Sequence, residues 1–169
     1  MTRLDVMSTL SHALVIGVGA TLVMDLWALL LRRGFGVPSL DFALLGRWIG
    51  HFPRGRFTHD HIGRAAPVRH ERVIGWVAHY TIGITFAAVL LAATGLDWLD
   101  RPTLLPPLIV GWITLAAPLL VMQPAMGLGV AASRTPRPNV ARLRSVATHT
   151  VYGLGLYLSA WLWAAMRVA

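Results

Sequence analysis

Cysteine and lysine are both missing from this 169-residue chain, and acidic residues are scarce. Without cysteine there are no disulfides, iron–sulfur clusters or thiolate zinc sites, and redox compartment cannot be read from cysteine usage. Charge of either sign is thin: 13% of residues are charged, 56% are hydrophobic, and mean hydropathy is +0.61. A water-soluble domain of this length needs a polar skin, so the balance points to a membrane protein with apolar surface facing lipid. All 15 basic residues are arginine, for a net charge of +8. Such an excess can mark nucleic-acid binding. Here the arginines fall between long apolar runs, so they read as an orientation signal and no nucleic-acid partner is expected. A serine nucleophile motif, HExxH and paired carboxylates are also lacking, so no catalytic residue is assigned.

What is present is a set of long apolar runs. Four segments reach the roughly 20 residues needed to cross a bilayer: about 11–32, 73–96, 104–124 and 145–166. The first follows Arg3 as a signal peptide would, but no small-x-small cleavage site comes after it, and it reads as a retained span. Pro118 and Pro124 should kink or end the third. The expected fold is all-α: a single polytopic membrane domain over 1–169, built as a four-transmembrane-helix bundle.

The arginines set the expected orientation. Eight lie in the first connection, 33–72 with Arg32 at its edge, and four lie in the third, against one each at Arg3, Arg101 and Arg167. The positive-inside rule then places both long connections in the cytoplasm and both termini outside. Trp98, Trp161 and Trp163 fall toward the outer ends, where aromatic belts form.

In the first connection, SLDFALLGRWIGHF has Ser39 as a plausible N-cap and apolar residues at helical spacing. It reads as a short amphipathic helix in the cytoplasmic interface. The stretch PRGRFTHDHIGRAAPVRHE after it reads as an irregular loop, placed to fold over the bundle as a lid. His51, His59 and His61 match no strong zinc spacing. Arg47, Arg54 and Arg56 suit anionic lipid headgroups or a phosphate-bearing ligand, making lipid at the cytoplasmic face the expected partner. GLGVAAS at 127–133 lacks the strand and lysine of a phosphate loop and is a weak nucleotide motif. His12 and His70 read as ordinary polar residues.

Each span carries one polar side chain in its cytoplasmic half: Asp25, His79, Gln123 and His149. At about 1.5 Å per residue, Asp25 and His79 each lie roughly 10 Å from the nearest flanking arginine, and His149 about 7–8 Å. Charged groups deep in a bilayer cost roughly 2.5–3.5 kcal/mol even on lenient scales, so these should face a protein interior or cavity. Asp25, His79 and His149 suit a divalent metal, the two histidines a haem, and the set a proton or ligand path. The alternative is a hydrogen bond between Asp25 and a histidine that only fixes packing. Gly75, His79 and Gly83 share a helix face, as do Ser145, His149 and Gly153. The strings LVMD at 22–25 and LVMQ at 120–123 echo one another, as if spans one and two recurred as three and four.

Five blocks in order, VGATLVMDLWALLLRR, VPSLDFALLGRWIGHFPRGRF, GWVAHYTIGITFA, LVMQPAMGLGVAASRTPRPN and RLRSVATHTVYGLGLY, give the chain a wider likeness. It resembles a family of small bacterial inner-membrane proteins known as domain of unknown function 2938. The resemblance implies a multi-pass bacterial inner-membrane protein and transfers no catalytic residue. The leading expectation is a binding or permeation module with a cytoplasm-facing Asp/His site for a small anionic or amphipathic ligand or protons. The alternatives are a metal- or haem-binding membrane redox enzyme and a non-catalytic assembly partner.

Overall fold

A computed structural model describes residues 3–168; side chains are described for 7–167, so that of Arg3, counted above, lies outside the described residues. The described chain is all-α. Helix α1 spans Arg3–Phe35, α2 Phe42–Gly50 and α3 Glu71–Thr94. Helix α4 spans Leu105–Ala125, and α5 spans Pro138–Val168.

Three of these are long and apolar enough to cross a membrane: Met7–Phe35, Glu71–Thr94 and Leu105–Ala125. Each exposes large apolar side chains, among them Leu26, Val77 and Ile113. Helix α5 is longer than two of them, but Thr148, His149 and Tyr152 dilute its apolar run, and it does not qualify on composition.

The helix ends follow local chemistry. At the end of α1, Gly36 turns with φ of 64° and the Val37 amide returns to the Leu31 carbonyl at 3.1 Å. Arg32 and Arg33 complement the negative end of the helix. Helix α2 starts later than Ser39 suggests. Asp41 is the N-cap, its carboxylate accepting from the Ala43 amide at 2.9 Å, because it can reach that amide from extended backbone. Within α4, α-helix runs Leu105–Ile113, a π-helical stretch then covers Ala117–Met122 around Pro118, and Pro124 sits in the last turn.

Packing depends on small residues at the crossings. Helix α1 lies between α3 and α5, and α4 lies against α5. Gly17 faces the backbone of Gly83 and Ile84, Gly155 faces Ala20, and Gly111 faces His149 and Gly153. The core includes Ile16, Leu90, Leu91, Leu99 and Leu156, and buried Tyr152 donates to the Gly83 carbonyl at 2.6 Å. A second cluster joins Leu45 of α2, Ile62 of the loop and Met126 after α4.

The loop after α2 is ordered by two 3-10 turns, Phe52–Arg54 and Ile62–Arg64. Its His59 and Ile62 amides donate to the Ala125 and Met126 carbonyls at 2.8 and 2.9 Å. These are the carbonyls that the end of α4 leaves free. Gly127, with φ of 85°, lies against the Asp60 carbonyl. The Gly-x-Gly of 127–129 is therefore a chain reversal that receives this loop.

Candidate functional site

Two antiparallel helices that cross at glycine carry their next turns past each other in register. At Gly83 of α3 the neighbour is the Thr21 hydroxyl of α1. One turn onward along each helix, at about 6 Å, lie His79 and Asp25. His79 donates through Nε2 to Asp25 Oδ1 at 2.9 Å, and Tyr80 donates its hydroxyl to Oδ2, also at 2.9 Å. The His79 side chain is 10% exposed and that of Asp25 is 21% exposed. The carboxylate is thus held by two donors while keeping one open flank.

Helix α2 supplies the wall. Gly46 and Gly75 let α2 and α3 touch backbone to backbone, Gly46 against the Glu71 carbonyl and Gly75 against that of Phe42. This seats the Phe42 ring 4.2 Å from the His79 ring, with Trp76 4.5 Å from Phe42. Beside them opens a groove of about 260 Å³ whose lining includes Asp25, Arg32, Asp41, Phe42, Arg72 and Trp76. Residues 39–43, leading into α2, are part of its lining, and the loop anticipated as a lid over this cluster is not. The histidine loop instead docks beneath α4.

The other two expected polar residues do not join this site. His149 faces α4: its Nδ1 lies 3.0 Å from the Thr114 hydroxyl and 3.2 Å from the Gly111 carbonyl. Gln123 is buried, with no hydrogen-bond partner on its Oε1. The expected metal set of Asp25, His79 and His149 is thus split, because α5 turns His149 toward α4 and away from the α1–α3 pair. Among the described residues, no three His, Asp or Glu side chains are grouped to hold a metal ion. The LVMD and LVMQ echo does not extend to partners either, since His149 bonds Thr114, nine residues before Gln123.

The sequence model described as "Protein of unknown function (DUF2938)" matches residues 14–163. The chain belongs to this family. No curated protein and no solved structure matches it. Asp25, His79, Tyr80 and the groove residues all lie within the DUF2938 match.

The arginines expected to meet anions divide. Arg47 is not free for lipid: it forks onto Glu71, with Nε to Oε2 at 2.9 Å and Nη2 to Oε1 at 2.7 Å. Its Nη1 also reaches the Ala65 carbonyl at 3.3 Å. The hydrogen bond to Glu71 raises the Arg47 pKa above its ordinary value, against the opposing effect of burial. Arg54 and Arg56 are exposed and stay available.

The loop histidines form a pair and a cap. His51 Nδ1 and His59 Nε2 are 2.7 Å apart, so one donates to the other, and their rings stack at 4.9 Å. His61 caps the second 3-10 turn by accepting from the Gly63 amide at 3.1 Å.

Acid is expected to loosen this loop. Burial, then the nearby His51 and Arg56, push the His59 pKa below its ordinary value, with Asp60 opposing. Below the ordinary imidazole value near 6.5, the unfolded loop binds more protons than the folded one. Stability present at neutral pH therefore falls as pH drops through that value. Exchange of the His59 and Ile62 amides, corrected for intrinsic rate, should accelerate between about pH 7 and pH 5.5. It should do so less in His59→Gln. Protection that is flat with pH in the wild type would refute this.

Residues missed from sequence include Tyr80, Phe42, Thr114 and Glu71. Tyr80 had a signal, since it adjoins His79 and carries a donor at the same depth. Glu71 had one too, as the chain's single glutamate among eight nearby arginines.

Proposed function

We propose that this protein is a multi-pass module of the bacterial inner membrane whose Asp25–His79–Tyr80 site binds or passes a small anionic or amphipathic ligand, or protons. The observation that carries this is Asp25: a carboxylate within a candidate span, held by two donors and still lining an open groove beside Arg32 and Arg72. A purely structural carboxylate has no need of that opening. In this reading α5 is the fourth crossing, which its length and its packing along α1 support. Both termini then lie in the periplasm, and the groove opens to the cytoplasm. Arg54 and Arg56 face anionic headgroups there. The redox alternative has less support, because His79 and His149 are each spent on different partners.

The test is Asp25→Asn in proteoliposomes, with Arg101→Gln as control. Proton entry is read from an entrapped pH dye after an acid pulse. Binding is read as the rise in unfolding temperature with dodecyl phosphate. Proton entry should fall about tenfold or more in Asp25→Asn, or dodecyl phosphate binding should change by a similar factor, while the unfolded fraction stays unchanged. Both signals persisting unchanged would sink the reading.

A further inference from the structure

The groove at Asp25 carries both signs of charge, and this bears on what it takes. Asp25 and Asp41 are matched by Arg32 and Arg72 in its lining. Asp41 accepts from the Ala43 amide through one oxygen as a helix cap, and the two arginines are exposed. Asp25 lies deepest, one helical stretch of seven residues in from Arg32. Its two oxygens have each accepted one hydrogen bond, and an ionised carboxylate has about four lone-pair positions, so it can accept more. Trp76 is 41% exposed and lines the same groove, with Phe42 beside it. A carboxylate next to aromatic faces is the environment that holds an ammonium ion, whereas two guanidinium groups at a mouth hold a phosphate.

Resting on the reading of this site as a ligand site, we propose that the groove takes a zwitterion. Its ammonium goes in first to Asp25 and Trp76, and its phosphate is left between Arg32 and Arg72. A simple anion would leave the Asp25 carboxylate facing like charge, and a simple cation would face the repulsion of two guanidinium groups in the same lining. The size fits: about 260 Å³ corresponds to roughly nine waters at about 30 Å³ each. That is room for an ammonium and a phosphate joined by a two-carbon link. This chemistry is shared by free phosphoethanolamine and by the headgroup of phosphatidylethanolamine.

The experiment titrates the detergent-purified full chain with phosphoethanolamine, inorganic phosphate and ethylamine by calorimetry. Nanodiscs containing phosphatidylethanolamine or phosphatidylglycerol, read by native mass spectrometry, form a second arm. Either phosphoethanolamine should bind at least tenfold more tightly than each half alone, or phosphatidylethanolamine should be retained over phosphatidylglycerol by a similar factor. The arm that responds names the source. Asp25→Asn should reduce zwitterion binding to the level of phosphate. Arg72→Gln, a change at an exposed side chain, should reduce it to the level of ethylamine and guards against misfolding of the first variant. The proposal is overturned if phosphate alone matches the zwitterion and the two lipids are retained equally. It is also overturned if folded Asp25→Asn and Arg72→Gln both bind like wild type. If no zwitterion binds yet proton entry still depends on Asp25, this inference falls and the broader reading stands. If proton entry and dodecyl phosphate binding are also independent of Asp25, both fall.

Discussion

Gly75→Ala is expected to detach α2 from α3 and destabilise the fold by about 2–4 kcal/mol. A Cβ at position 75 meets the Phe42 carbonyl, and one at Gly46 meets that of Glu71. Both obstacles are backbone, so no rotamer change relieves them. In most helices glycine to alanine stabilises by up to about 1 kcal/mol, because alanine has the better intrinsic propensity. Gly34, which has nothing within reach of a new Cβ, is the matched control and should tolerate or gain from alanine. The functional cost should exceed the stability cost, because moving α2 takes Phe42 off the His79 ring and opens one groove wall. Thermal unfolding in detergent, with near-ultraviolet dichroism for Trp76, reads both effects. If Gly75→Ala melts where Gly34→Ala does, the close crossing is not needed.

Arg47→Gln should be nearly as damaging, at about 3 kcal/mol, and its damage should be local. The Arg47 and Glu71 side chains are only 13% and 18% exposed, so removing the guanidinium strands a shielded carboxylate. Glu71 would keep the Val68 amide at 3.0 Å, which is too little for two oxygens. The Ala65 carbonyl would lose its guanidinium donor as well. Limited proteolysis should therefore cut between residues 52 and 65 before the helices unfold. Replacing both partners by apolar side chains, Arg47→Met with Glu71→Leu, should restore most of the stability, since no charge is then left unpaired. A single variant as resistant as wild type would show that the ion pair does not hold the loop.

The sequence made the helices legible because apolar runs of this length have few other fates. It made a hydrogen bond from Asp25 to a histidine legible, because a carboxylate inside a long apolar run needs a donor and His79 and His149 lie at similar heights. It could not show that His149 belongs to another pair. Depth fixes height along a helix, while rotation about the axis, set by Gly111 and Gly153, decides which neighbour a side chain meets. Helix α2 was visible from its periodicity, but its docking was not, because Gly46 and Gly75 reveal themselves as a contact only once paired. Arg47 looked like a headgroup ligand for the same reason. Its charge was evident, and its partner, 24 residues along the chain, was not.

The hydrogen bonds from the His59 and Ile62 amides to the end of α4 have a mechanical consequence. They tie the first connection, and with it α2, to the end of α4. The α2 wall of the groove is therefore anchored at two places, on α3 through Gly46 and Gly75 and on the end of α4 through the loop, so a change at either anchor is felt at the groove.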